Sequence, residues 1–133
     1  MEKSLETEGT VVSGMGKGKE FMSIPQYQKQ MADAFSFIPY LGTLNVMVSP
    51  EDISKIRHIG ESNGTLIHGF EANGRTFGDV YAYRAEINGT KCILLMPKLS
   101  KHTDQIELIW SESLREKLKL IDGSKVKVRV FLE

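Results

Sequence analysis

The sequence predicts a mainly β protein, a compact closed barrel of short antiparallel strands with a few short peripheral helices. Three observations carry this reading. Residues 65–70, 75–87 and 90–96 are apolar, β-rich runs of the kind that form strands. They are punctuated by Asn73-Gly74 and Asn88-Gly89, and Asn-Gly is the commonest signature of a two-residue hairpin turn. Residues 105–110 and 125–132 alternate apolar with polar positions, the period-two pattern of a strand with one face toward a core. Short strands joined by tight turns suit a closed barrel better than a layered α/β sheet.

Composition narrows the possibilities further. A chain of 133 residues with 41% hydrophobic content has the size and apolar content of one globular domain. Seventeen basic residues balance seventeen acidic ones, which argues against the broad basic face of a general nucleic-acid or membrane-surface binder. Any anion must be caught locally. The lone Cys92 excludes an internal disulfide and an all-cysteine metal site, fits a reducing compartment, and lies in the apolar run 91–96, where a buried structural thiol is expected. No apolar run approaches the ~20 residues needed to span a bilayer, and the N-terminus carries no signal-peptide pattern. A cytoplasmic monomer with no nucleic-acid or membrane partner is therefore expected. Asn63-Gly64-Thr65 and Asn88-Gly89-Thr90 match the glycosylation acceptor, but turns explain both better.

In chain order, residues 1–8 read as a flexible lead-in and residues 9–133 as the domain. A strand over 9–13 runs into Gly14-Met15-Gly16-Lys17-Gly18-Lys19. Alternate glycines allow close approach to the backbone and an anion-binding nest, with Lys17 and Lys19 adding charge. The segment is neither a Walker A loop nor a Rossmann turn, and by itself it reads equally as a hairpin with two solvated lysines. Ser23-Ile24-Pro25-Gln26 carries a capping-box pattern, and apolar spacing through Phe35 predicts a helix ending near Phe37, before Pro39. Pro39-Tyr40-Leu41-Gly42 is a tight turn into a strand over 43–49. Alternation then puts Leu44, Val46 and Val48 on one face and Thr43 with Asn45 on the other. A hydroxyl and an amide carbonyl projecting together suit magnesium, a hard cation that takes its remaining ligands from phosphates and water; in isolation, Thr-x-Asn is much better explained as a β-former and an ordinary outward polar residue, so context has to decide.

Further on, Ser49-Pro50 starts a second helix whose Ile53, Ile56 and Ile59 form a packing stripe. His58 and His68 lack ligand-like spacing. Residues 97–104 form a polar loop of the kind that carries binding groups, and on the next strand Glu107 points away from Ile106 and Leu108. Ser111 is expected to cap a short helix with Arg115 near its first turn. That end could take a phosphate, or Arg115 could simply pair with Glu112 or Glu116. Residues 120–124 turn into the last strand.

Taken together, Gly14-x-Gly16-x-Gly18-x-x-Phe21, a helix, and then Pro39-Tyr40-x-Gly42-Thr43-Leu44-Asn45 resemble the archaeal CTP-dependent riboflavin kinases, from about Gly9 to the C-terminus. The resemblance implies a six-stranded barrel related to cradle-loop barrels. It implies nucleotide contacts at Gly14, Met15, Gly16, Lys17, Gly18 and Lys19 and again at Glu112, Ser113, Leu114 and Arg115. It further implies Thr43 and Asn45 as magnesium ligands, Ser100 and Glu107 as flavin contacts, and Glu107 as the carboxylate able to orient or deprotonate the acceptor hydroxyl. The implied reaction moves the γ-phosphate of CTP, bound as Mg-CTP, to riboflavin, giving FMN and CDP. Cytosine preference rests wholly on the resemblance. Some members add an N-terminal winged-helix domain; 133 residues leave no room for one, so no gene regulation is expected. The rival reading is a noncatalytic flavin- or nucleotide-binding barrel, against which the Thr/Asn pair speaks, because a pure flavin binder needs no metal site.

Overall fold

The computed structural model describes residues 4–13, 24–40, 42–72, 74–97 and 104–131. The glycine segment 14–19 and Ser100 lie outside the described residues. In order, the elements are β1 (Ser4–Val12), α1 (Pro25–Phe35), β2 (Leu44–Met47), α2 (Pro50–Asn63), β3 (Thr65–Ile67), β4 (Phe70–Ala72), β5 (Arg75–Phe77), β6 (Val80–Ile87), β7 (Thr90–Pro97), β8 (Gln105–Ile109), α3 (Leu114–Lys117) and β9 (Lys125–Phe131).

The expected six-stranded barrel is present. Strands β6, β7, β8, β2, β1 and β9 pair in that order, all antiparallel, and β9 returns to β6. Closure is possible because β6 divides one edge between two partners: residues 80–82 pair with β3, and residues 85–87 pair with β9. A closed ring leaves no long unpaired edge to recruit another strand. The β6–β7 turn is the Asn-Gly hairpin that the sequence predicts, with Asn88 at φ 48° and Gly89 at φ 81°, both in the left-handed region that this turn requires.

Two apolar cores follow from the alternation of each strand. Val11, Val46, Leu94, Leu108 and Val130 fill the barrel, and Ile53 and Ile56 of α2 join them. Ser49 Oγ accepts from the Asp52 amide at 3.2 Å, the predicted cap of α2, and Asp52 in turn accepts from the buried Thr7 hydroxyl at 2.6 Å. Cys92 belongs to this interior, and burial pushes its thiol pKa up to about 12, which makes it the structural thiol expected. Outside the barrel, Ile93, Leu95 and Ile109 are covered by Tyr27 and Met31 of α1. The Tyr27 hydroxyl donates to the Gly78 carbonyl at 2.7 Å, and its ring meets that of Phe70 at 5.1 Å. Strand β7 is thus buried on both faces from Cys92 to Met96, as is the Leu108–Ile109 end of β8.

Several expectations change. Residues 1–8 are not a flexible lead-in throughout: Ser4–Val12 is a full strand, and residues 4–10 pair with residues 125–131 of β9. The segment reads as polar because only alternate positions face inward, Leu5 packing on the core and Thr7 buried beside it. The solvent-side Glu6 is bonded by Arg129, directly opposite. Runs 65–70 and 75–87 are each broken in two, because the Asp79 carboxylate accepts from the Gly69 amide at 2.7 Å and folds β4 and β5 into a separate hairpin. Asn63-Gly64 is the end of α2, not a hairpin turn. Helix α1 has Ile24 at its N-cap with no side-chain bond, and Ser23 lies outside the described residues. The helix ends at Ser36, in the left-handed conformation with its amide bonded to Ala32 O, slightly before Phe37. Ile109 lies on the same outward face of β8 as Gln105 and Glu107, and there α1 buries it.

Candidate active site

The site grows from the outer face of the β2–β8 pair. Leu44 and Val46 point into the barrel, so Thr43 and Asn45 point out of it. On β8, the inward Ile106 and Leu108 likewise turn Glu107 outward. The antiparallel register sets Asn45 directly opposite Glu107 on one side and opposite Val12 of β1 on the other. Thr43 Oγ1 donates to Glu107 Oε1 at 3.4 Å, across 64 residues of sequence. Three of the predicted site residues therefore form one polar patch. It adjoins the apolar surface under α1, since Leu95 of β7 is the other register partner of Glu107.

The chain reaches Thr43 by a constrained route. After α1, Phe37 packs on Trp110 with ring centroids 4.7 Å apart, Pro39 is buried, and the Tyr40 amide donates to the Trp110 carbonyl at 2.8 Å. Gly42 then bends the backbone at φ 151°, in the region that favours glycine. The connection is thus pinned to the end of β8 just before the Thr-x-Asn pair, which fixes where Thr43 emerges.

Beside the patch lies a pocket of about 120 Å³ whose lining includes Tyr40, Thr43, Trp110, Glu112, Ser113 and Arg115. This pocket joins the predicted metal position to the predicted second nucleotide segment. The cap of the short helix is Ser113, not Ser111: its hydroxyl accepts from the Glu116 amide at 3.3 Å. The helix is a single turn anchored by the buried Leu114, so only the residue directly before Leu114 can cap it. Arg115 pairs with neither Glu112 nor Glu116. Glu112 takes Lys117 at 3.1 Å, while Arg115 Nη2 donates to Asp122 Oδ1 at 3.0 Å and to the Val12 carbonyl at 3.5 Å. Asp122 Oδ2 accepts from the Ser13 hydroxyl. The Ser13 and Arg115 hydrogen bonds hold the Asp122 carboxyl below its ordinary range.

The donors fit magnesium bound with a nucleotide. A hydroxyl and an amide carbonyl are neutral oxygens, and no group of three or more His, Cys, Asp or Glu gathers for a metal among the described residues. An ion held here takes most of its ligands from phosphate and water. His58 and His68 are exposed. Residues 14–19 and Ser100 lie outside the described residues, so their geometry does not enter. Three site neighbours escape sequence reasoning: Tyr40 and Trp110, which line the pocket, and Asp122, which holds Arg115. For the aromatics a signal existed, since Tyr40 stands inside the Pro-x-x-Gly turn and Trp110 at the strand end before residues 112–115. Nothing local marked Asp122.

Among the described residues no helix is long and apolar enough to cross a membrane. Residues 11–130 match the family model CTP-dep_RFKase, described as a domain of unknown function, DUF120. The chain is 40% identical over 130 residues to a riboflavin kinase of Thermoplasma volcanium, covering 98% of this chain and 59% of that protein. It is 42% identical over 123 residues to one of Thermoplasma acidophilum, covering 92% and 56%. With one of Archaeoglobus fulgidus it shares 39% identity over 132 residues, covering 98% and 57%. The chain therefore spans less than two thirds of the length of these relatives. With the family model matched along nearly the whole chain and this identity to archaeal proteins, the chain belongs to the CTP-dep_RFKase family.

Proposed function

We propose that this chain is a CTP-dependent riboflavin kinase, transferring the γ-phosphate of CTP to the ribityl 5′-hydroxyl of riboflavin. The observation that carries the reading is the shared outer patch of Thr43, Asn45 and Glu107 beside a pocket that Thr43 lines together with residues 112–115. The relatives' name, riboflavin kinase, supports the acceptor, and the family label supports the donor.

In the reaction, the ribityl oxygen forms a bond to the γ-phosphorus while the bond from that phosphorus to the β-bridging oxygen breaks, releasing CDP. Such transfer depends on positioning and charge stabilisation more than on covalent chemistry from the protein. The Thr43 hydroxyl and the Asn45 carbonyl would hold magnesium, which supplies positive charge to the phosphates. Arg115 and the lysines of the glycine segment, Lys17 and Lys19, add charge for the triphosphate. Glu107, opposite Asn45 on the neighbouring strand, accepts the hydrogen bond of the ribityl hydroxyl and takes its proton as the new bond forms. The order along the patch has a consequence. The pocket lies at the Thr43 end, so nucleotide enters there, and the acceptor approaches from the side of Glu107, with Ser100 as a further flavin contact.

The test is FMN formation from riboflavin and magnesium with CTP, ATP, GTP or UTP supplied separately. Product with CTP alone is expected. Product mainly with ATP keeps the kinase and overturns the donor. Riboflavin binding without product from any donor replaces the kinase with a noncatalytic flavin-binding barrel.

A further inference from the structure

Arg115 lines the pocket, yet it stands on a helix of a single turn and its side chain is 39% exposed. An arginine so placed has many rotamers to lose when it grips an anion. What limits it is the turn that precedes β9. The Gly123 amide donates to the Val11 carbonyl and the Val11 amide to the Ser124 carbonyl, each at 2.8 Å. The Ile121 amide is taken by Ser124 Oγ at 3.0 Å. The backbone that carries Asp122 is thereby clamped to the end of β1. From that clamp, one carboxylate oxygen accepts from Arg115 and the other from Ser13, the residue directly before the glycine segment.

We propose that Asp122 is a positioning residue for the nucleotide, holding the Arg115 guanidinium at the pocket and tying it, through Ser13, to the point where β1 passes into the glycine segment. The inference rests on the kinase reading for its ligand, a magnesium-bound nucleoside triphosphate. Both bonds from Arg115, to Asp122 and to the Val12 carbonyl, run from Nη2. A guanidinium carries five N–H donors in a rigid fork, so fixing one nitrogen sets the direction of the others. An exposed ion pair of this kind contributes little to stability. Its effect belongs in the geometry of binding. A carboxylate beside a phosphate site also carries a contrary effect, since it neutralises part of the arginine's charge. The two effects have opposite signs in a binding measurement.

The experiment is a double-mutant cycle on Asp122→Asn and Arg115→Ala. Binding of magnesium–CTP is read from the fluorescence of Trp110, the only tryptophan in the chain and part of the pocket lining; steady-state KM values for CTP and riboflavin and the Tm are measured alongside. Asp122→Asn is expected to weaken magnesium–CTP binding and raise the KM for CTP by about tenfold, on the order of one charge-assisted hydrogen bond. The KM for riboflavin and the Tm stay unchanged. In the Arg115→Ala background the same change costs less than about twofold. Tighter binding by Asp122→Asn would show that the carboxylate only neutralises Arg115, and equal losses in both backgrounds would show that it does not act through Arg115. Either result overturns the proposal, as does a loss that follows a fall in Tm or a wild-type protein that binds no magnesium–CTP. A wild-type protein that binds magnesium–CTP but forms no FMN sinks the kinase reading instead, and the binding cycle still decides the role of Asp122.

Discussion

On the inner face of the β2–β8 pair, Leu44 lies opposite Leu108 and Val46 opposite Ile106, each at most 4% exposed. On the outer face of the same two strands, Asn45 lies opposite Glu107, with Thr43 bonded to that carboxylate. The backbone hydrogen bonds are common to both faces, so the difference comes from the side chains alone. Inside, any residue of the right volume and apolarity keeps the barrel closed. Outside, the atoms themselves matter: a carbonyl oxygen, a hydroxyl and a carboxylate at three adjoining positions. Substitutions on one face should therefore change stability, and substitutions on the other should change phosphoryl transfer.

The sharpest break is Asn45→Leu. It removes an outward oxygen and leaves the inner face untouched, so FMN formation should fall by roughly 10²–10³-fold, as when a positioned polar group is removed from a transition state, with riboflavin binding and Tm retained. Joint loss of turnover and riboflavin binding would end the division of roles along the patch. Leu108→Ala is the counterpart on the inner face. Its side chain is fully buried in the barrel, and truncation should cost about 2–5 kcal/mol of stability, seen as a lower urea midpoint, while the folded fraction keeps its KM for both substrates. A changed KM at unchanged stability would mean that the two faces are coupled.

A smaller effect separates the barrel seam from both faces. Hydrogen bonding and charge from Arg129 hold the Glu6 carboxyl below its ordinary range. The folded protein therefore binds that proton less tightly than the unfolded chain does. The contribution is present above the unfolded pKa and is lost as pH falls through the lower folded value. Glu6→Gln should flatten the acid side of the Tm–pH profile, below about pH 4.5, and leave turnover at neutral pH unchanged. An unaltered acid limb would show that this pair adds nothing to the β1–β9 seam.

How much of this was legible beforehand depends on the range of the interaction concerned. The hairpin at Asn88-Gly89, the cap of α2 at Ser49 and the inward faces of β2 and β9 are local facts of turn chemistry and period two, and they appear in the structure where the sequence puts them. Residues 4–8 escaped because their inward positions are a leucine and a threonine, and the threonine is buried only because Asp52 of α2 bonds it. The cap of α3 moved from Ser111 to Ser113 because the burial of Leu114 sets where the single helical turn begins. Arg115 found Asp122, not its neighbours on the helix, because the turn before β9 is clamped to β1.

By itself, then, the sequence determined the mainly β character, the Thr43–Asn45 pair on one face of a strand, and the motif that marks the family, since these depend on neighbours a few residues apart. Only the tertiary structure decided that β6 shares its edge so the ring can close, that Glu107 faces Asn45, and that Asp122 bridges Arg115 and Ser13. Each of those depends on strand register or on a contact between distant segments, and neither is set until the whole barrel has closed around its core.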